Sequence, residues 1–206
     1  MIEFIIYILV SISFVLIANK KNFLPNYSGE NHQKFLNEKK IPLIGGILIL
    51  PILLIVFTDK NLFFVITGCI IFLIGFLSDS KNLSSPKKRL FLQLFVISSF
   101  VFFSNIQVTP TRIEFLDRIF EDKLLGHLFT IFCLMILING SNFIDGLNGL
   151  LIAYFLIVII FLYYFDLIDP ELMSQKNQIF LILSFSILLL LNYLNKFYLG
   201  DGGSYL

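Results

Sequence analysis

The chain has 206 residues, 57% of them apolar and only 14% charged, with a mean hydropathy of +0.89 and a formal net charge of +1. That balance excludes a soluble globular domain, and a near-neutral chain is not expected to bind nucleic acid. What remains is an integral membrane protein.

Continuous apolar runs occupy about residues 2–18, 41–57, 62–77, 90–103, 124–138, 150–168 and 178–194, with ends good to about 2 to 4 residues. Their continuity predicts helices rather than the alternating strands of a barrel. The expected fold is therefore all-α, a polytopic bundle of seven transmembrane helices in a single domain over 1–206. The first run has no basic residue before it, carries Glu3 and is followed by Lys20 and Lys21, which reads as a retained helix with its N-terminus outside. The third, fourth and fifth runs fall short of the ~20 residues that cross a hydrocarbon core, so these helices are expected to draw in flanking residues or meet a thinned bilayer.

Polar clusters follow the first, third, fifth and seventh runs: Asn31–Lys34 through Lys39-Lys40-Ile41-Pro42-Leu43-Ile44-Gly45-Gly46; Ser78-Asp79 through Ser85-Pro86-Lys87-Lys88-Arg89; Asn139 to Gly149; and Gly200-Asp201-Gly202-Gly203-Ser204. Each follows an odd number of crossings, so all four share one membrane face. Ten basic residues (Lys20, Lys21, Lys34, Lys39, Lys40, Lys81, Lys87, Lys88, Arg89, Lys196) lie in those gaps against five elsewhere (Lys60, Arg112, Arg118, Lys123, Lys176). Lysine and arginine accumulate on the cytoplasmic side, so the motif face is predicted cytosolic. The long gap at 104–123 lies on the other face and reads as a solvated surface of mixed charge.

Cys69 and Cys133 stand alone inside apolar runs and show no zinc or disulfide spacing. His32 reads as a surface residue and His127 lies at the end of its run opposite the motif face. Asn26-Tyr27-Ser28 and Asn82-Leu83-Ser84 fit the glycosylation pattern but fall on the predicted cytosolic face.

The aspartates carry the chemistry. Glu30 and Glu38 sit among lysines, whereas Asp79, Asp145 and Asp201 each lie at a helix end beside glycine or serine. A lone Asp-Gly is a turn. Three carboxylates gathered from separate helix ends suit a hard divalent cation that takes oxygen ligands and keeps positions for phosphate. Gly146, Gly149, Gly200, Gly202 and Gly203 would let backbone N–H groups approach that phosphate closely.

Asn139, then Asn142-Phe143-Ile144-Asp145-Gly146-Leu147-Asn148-Gly149-Leu150, resembles the Asn-x-x-Asn-hydrophobic-x-Asp-Gly-x-Asp-Gly-Leu signature of the polyprenyl-phosphate N-acetylhexosamine-1-phosphate transferases. This group, within glycosyltransferase family 4, includes the phospho-MurNAc-pentapeptide and GlcNAc-1-phosphate transferases. The Lys39–Gly46 stretch resembles its first cytoplasmic loop, Gly75–Asp79 through Ser85–Leu90 to Gln93 its Asp-Asp loop, and Leu199–Ser204 its Gly-Asp-x-Gly-Ser loop. Two departures stand out: a single Asp79 between Ser78 and Ser80 replaces an aspartate pair, and Asn148 replaces a second aspartate. Asparagine keeps a carbonyl ligand and loses the charge.

The resemblance implies transfer of a sugar 1-phosphate from a UDP-N-acetylhexosamine to polyprenyl (undecaprenyl) phosphate with release of UMP. The product would initiate a lipid-linked glycan (O-antigen, capsule, teichoic acid or peptidoglycan precursor) at a bacterial inner membrane. It implies Mg²⁺, with Mn²⁺ as a substitute, and a possible homodimer. Asp201 is the expected metal ligand, and Asp79 the residue that activates the lipid phosphate or serves as base. Asp145 and Asn142 are expected at the nucleotide or metal site. Lys39, Lys40, Lys87, Arg89, Asn139, Asn148, Gly200 and Gly202 are expected to hold substrate or phosphate. UDP-GlcNAc or a deoxy relative is preferred as donor. Relatives run to ten or eleven helices with a histidine-bearing loop further on, so the chain reads as an amino-terminal, C-terminally incomplete fragment of doubtful activity alone. A transporter or an inactive remnant are the alternatives; acids at one surface without internal repeats fit a transporter less well.

Overall fold

The computed structural model describes residues 2–25, 41–58, 61–108 and 110–206. Its elements are α1 (Ile2–Lys21), α2 (Gly45–Phe57), α3 (Leu62–Asp79), α4 (Pro86–Ser104), α5 (Glu114–Phe120), α6 (Lys123–Ile144), α7 (Leu150–Tyr164), α8 (Gln175–Tyr193) and α9 (Gly200–Ser204). The fold is all-α, and the seven apolar runs become α1 to α4 and α6 to α8.

Local chemistry sets the helix ends. The Asn61, Asp122 and Ser174 side chains accept the Phe64, Leu125 and Asn177 amides at 2.9, 3.0 and 3.3 Å, each satisfying one donor that a helix start leaves open. Pro86 opens α4, where its missing N–H costs nothing, and Asn105 closes the helix in the left-handed region at φ 51°.

Helices α1, α3, α6 and α8 are long and apolar enough to cross a membrane. The flanking residues predicted to lengthen the third to fifth helices are indeed helical, giving 18, 19 and 22 residues. The short helices are instead α2 and α7, with 13 and 15 residues, where the sequence raised no concern. Ile41 to Ile44 are apolar but not helical, with Pro42 and Leu43 in β-bridges, so α2 starts only at Gly45. At the other end of α7 the chain turns at Phe165 and Asp166, the latter at φ 53°. The gap at 104–123 is not a plain surface loop, since α5 packs on α6 and Phe120 stacks on Phe129 at 4.3 Å.

Two buried clusters form the interior. One joins α1, α2, α7 and α8 around Val15, Ile52, Ile152 and Leu188, with Leu199 at its edge. The other joins α3, α4 and α6 around Ile71, Ile97, Val101 and Ile131, and includes Tyr205. The α9 segment therefore bridges the two. Large apolar side chains such as Leu9, Leu16, Phe103, Phe132 and Ile157 face outward. In water so much exposed apolar surface would drive aggregation; against lipid it is the expected exterior. This is an integral membrane protein.

Because lipid tails are as apolar as leucine, close backbone packing must hold such helices together. α9 shows how: a Cβ on Gly75 of α3 would lie 2.5 Å from the Asp201 carbonyl oxygen, and one on Gly46 of α2 would lie 2.6 Å from the Gly202 carbonyl. Only glycine lets the three backbones meet. Backbone hydrogen bonds stitch the same end of the bundle, with Tyr198 N–H donating to Pro42 O at 2.9 Å and Ile44 and Gly45 N–H donating to Tyr198 O at 3.2 and 3.1 Å.

Candidate active site

The gaps after α3, α6 and α8 meet at one end of the bundle, around α9. Asp79, the last residue of α3, receives the amides of Asp201 at 2.8 Å on Oδ1 and Gly202 at 2.9 Å on Oδ2. Its carboxylate thus caps the first turn of α9. Gly200 turns the chain into α9 at φ +68°, and a Cβ there would meet the Asp79 carboxylate at 2.7 Å. Two charge-assisted bonds of this kind contribute about 1.5 to 3 kcal/mol each.

Asp201 points its carboxylate at α4. The Arg89 guanidinium pairs with Oδ2, and the Ser78 hydroxyl donates to the same oxygen at 2.5 Å while accepting from Arg89 at 2.6 Å. Arg89 also reaches the Tyr205 hydroxyl at 3.4 Å, and Asn142 Nδ2 donates to that hydroxyl at 3.3 Å. The Ser204 hydroxyl donates to Asn142 Oδ1 at 3.4 Å. Burial, then the Asp201 charge, pushes the Tyr205 hydroxyl up to about 12, so it stays protonated and can donate.

Asp145 follows directly on α6, near the Gly200 amide. Burial pushes its carboxyl up to about 8, with the charges of Asp79 and Asp201 adding to the shift. Three acids from three gaps therefore feel one another, as expected of clusters that share one membrane face.

The other expected site residues are spread more widely. Lys87 is exposed on the first turn of α4. Asn139 turns its amide back onto Met135 O at 2.9 Å, and Asn148 donates to Asn195 Oδ1, joining the loop after α6 to the loop after α8. Lys39 and Lys40, with Asn31 to Lys34, lie outside the described residues. His127 is buried at the far end of α6 with its ring 5.2 Å from Phe102.

Ser78, Tyr205, Ser204 and Gln93 belong to the site but were not among its expected residues. Ser78 and Gln93 had a signal, since they stand in the Asp79 motif stretch; Tyr205 follows Ser204 with nothing to distinguish it from a packing aromatic. Gln93 is wholly buried, and neither of its amide atoms has a hydrogen-bond partner among the described residues, nor does Arg89 Nε.

The donors suit a hard cation, being oxygen atoms of Asp201, Asp145 and Asn142 beside mutually repelling carboxylates. No group of three His, Cys, Asp or Glu among the described residues forms a ready-made cage; Asp79 holds two amides, and one Asp201 oxygen holds Arg89. A cation that retains water and binds phosphate fits such a sparse donor set; one that needs a full protein shell does not.

Apolar helices end in a shared polar cup of carboxylates, guanidinium and backbone amides, which defines a membrane protein with a candidate active site at one end of its bundle. The family model described as glycosyl transferase family 4 matches residues 61–206, well over half of the chain. The chain belongs to that family and is a phospho-sugar transferase by class. Among curated proteins, none matches the chain.

Proposed function

We propose that the protein transfers N-acetylhexosamine 1-phosphate from a UDP-sugar to polyprenyl phosphate, releasing UMP and starting a lipid-linked cell-envelope glycan. The observation that carries this reading is the meeting of Asp79, Asp145 and Asp201 around α9 at one end of an apolar bundle. At a bacterial inner membrane, with this end cytosolic, a lipid phosphate at headgroup depth and a soluble nucleotide sugar would both reach it. The excess of lysine and arginine in the same gaps supports that orientation.

In the reaction a phosphate oxygen of the lipid attacks the β-phosphorus of the UDP-sugar. A phosphorus–oxygen bond forms, the bond to UMP breaks, and UMP departs with the electron pair. Such transfers need positioning and charge neutralisation above all. Mg²⁺, or Mn²⁺ in its place, would be held by Asp201 with Asp145 and Asn142, and supplies charge neutralisation on the diphosphate when bound. Arg89, with Lys87 at the rim, binds phosphate oxygens. Asp145 and Asn142 orient the nucleotide side, while Gly200 and Gly202 keep the backbone close. Lys39, Lys40, Asn139 and Asn148 are assigned to outer contacts with donor or lipid.

Asp79 is proposed to activate the lipid phosphate or act as its base. Its two amide bonds favour a second reading of the residue as the anchor of α9, acting through Asp201. Membranes containing the protein, supplied with polyprenyl phosphate and separate UDP-N-acetylhexosamines, test the function through Mg²⁺-dependent UMP release. UDP-GlcNAc or a deoxy relative is the expected donor. No UMP with any donor would reject the reaction, and full activity in both Asp145→Ala and Asp201→Ala would reject the site.

A further inference from the structure

Arg89 is crowded on one side and empty on the other. A single guanidinium nitrogen serves Asp201, Ser78 and the Tyr205 hydroxyl, whereas its buried Nε has no partner among the described residues. Four residues further along α4, on the same helix face, Gln93 is wholly buried; the Tyr205 hydroxyl is its polar neighbour, yet neither amide atom makes a hydrogen bond of full geometry among the described residues. Buried amides are satisfied almost without exception in native proteins, and a guanidinium has five donors in a fixed fork. An acceptor without a full hydrogen bond, one helical turn from a donor without one, marks a second seat for the same side chain.

We propose that Arg89 moves between two seats beside the Tyr205 hydroxyl: on Asp201 when no cation is bound, and against Gln93 when a divalent cation takes Asp201, with Gln93 as the positioning residue for the second seat. The inference rests on the reading of Asp201 as the cation ligand. Its physical basis is competition. The Asp201 oxygen that holds the guanidinium and the Ser78 hydroxyl has little capacity left for a cation, and a guanidinium beside a divalent ion is repelled. Gln93 Oε1 offers the displaced donor an uncharged acceptor without carrying it into lipid, where an unpaired cation is costly. The seat also leaves the planar fork near the cation, where a diphosphate oxygen would arrive.

Binding of Mn²⁺ alone to the purified full chain, read by electron paramagnetic resonance without substrate, tests this. Removing the competitor in Arg89→Gln should tighten Mn²⁺ on the order of tenfold, the size of one charge-assisted contact. Removing the second seat in Gln93→Met should weaken Mn²⁺ by several-fold, because the displaced arginine has nowhere to go. The double variant should match Arg89→Gln alone, since Gln93 acts through Arg89; a merely structural glutamine would weaken binding in both backgrounds. Arg89→Lys, which keeps the charge, guards against a folding defect and should stay within a few-fold of the wild type.

Failure of the wild type to bind Mn²⁺, or equal binding by Asp201→Asn, would overturn the cation reading and the two-seat arginine with it. Binding that depends on Asp201 but is unchanged or weakened in Arg89→Gln would overturn the two-seat arginine alone. So would a Gln93→Met penalty that persists in the double variant.

Discussion

The Asp79 carboxylate holds the backbone of Asp201, its Oδ1 2.8 Å from the Asp201 amide nitrogen, so the last residue of α3 sets where the acid of α9 can point. Asp79→Ala removes both amide bonds and leaves two donors at the start of α9 unpaired, a loss of about 3 to 6 kcal/mol. Asp79→Asn keeps one acceptor but turns an N–H group toward an N–H group, and should lose less stability while still losing most UMP release. Chemical unfolding in detergent beside the activity assay checks both. An Asp79→Ala protein as stable as the wild type would remove the anchor.

Gly75 offers a test that touches no charged group. A methyl there would meet the Asp201 carbonyl at 2.5 Å, and Gly75→Ala should push α9 off α3 at a cost of about 1 to 3 kcal/mol. Activity should fall at least tenfold, because displacement of about 1 Å at a phosphoryl-transfer site costs that much or more. Gly140→Ala, with open space around the added methyl, should be close to neutral in stability and serves as the control.

Asp145 makes stability depend on pH. Its folded carboxyl titrates near 8 rather than at 3.8, so between those values the folded chain holds a proton that the unfolded chain has released. Its contribution is present in full below about pH 4 and is lost as pH rises through 8. Thermal unfolding in chelator should therefore show a midpoint that drops from pH 5 to 8 more steeply in the wild type than in Asp145→Asn. Added Mg²⁺ should lessen the drop by offsetting the repulsion among the acids.

Tyr205 binds its neighbours through long hydrogen bonds, 3.3 Å to Asn142 and 3.4 Å to Arg89. Tyr205→Phe should therefore cost no more than about 1 kcal/mol in stability. Tyr205→Ala should cost about 3 to 5 kcal/mol, since its ring belongs to the buried α3–α4–α6 cluster and its loss leaves a cavity there. The two variants, compared by denaturant midpoint, separate the ring from its hydroxyl.

Topology is testable without activity. After Cys69 and Cys133 are replaced, single cysteines at Ser80, Leu147 and Asn195 should label from one side of the membrane and those at Arg112 and Asp169 from the other. The motif side should be cytosolic. Ser80 and Leu147 labelling from opposite sides would dismantle the site.

Much of this was legible in the chain itself. Continuous apolar runs determine an all-α membrane bundle because backbone polar groups in lipid must be satisfied within each helix, and the count of runs between Asp79, Asp145 and Asp201 brings those acids to one end. Other features were not, because they depend on contacts between residues far apart in sequence. Hydropathy could not show that Ile41 to Ile44 would bond to the strand-like Tyr198 stretch and shorten α2, since an apolar run reads the same in a helix or out of one. Nor could spacing reveal that Asp79 would hold amides while Asp201 met Arg89 and Ser78. Identical side-chain chemistry allows either partner, and only the packing of α9 on Gly46 and Gly75 decides which carboxylate faces which donor.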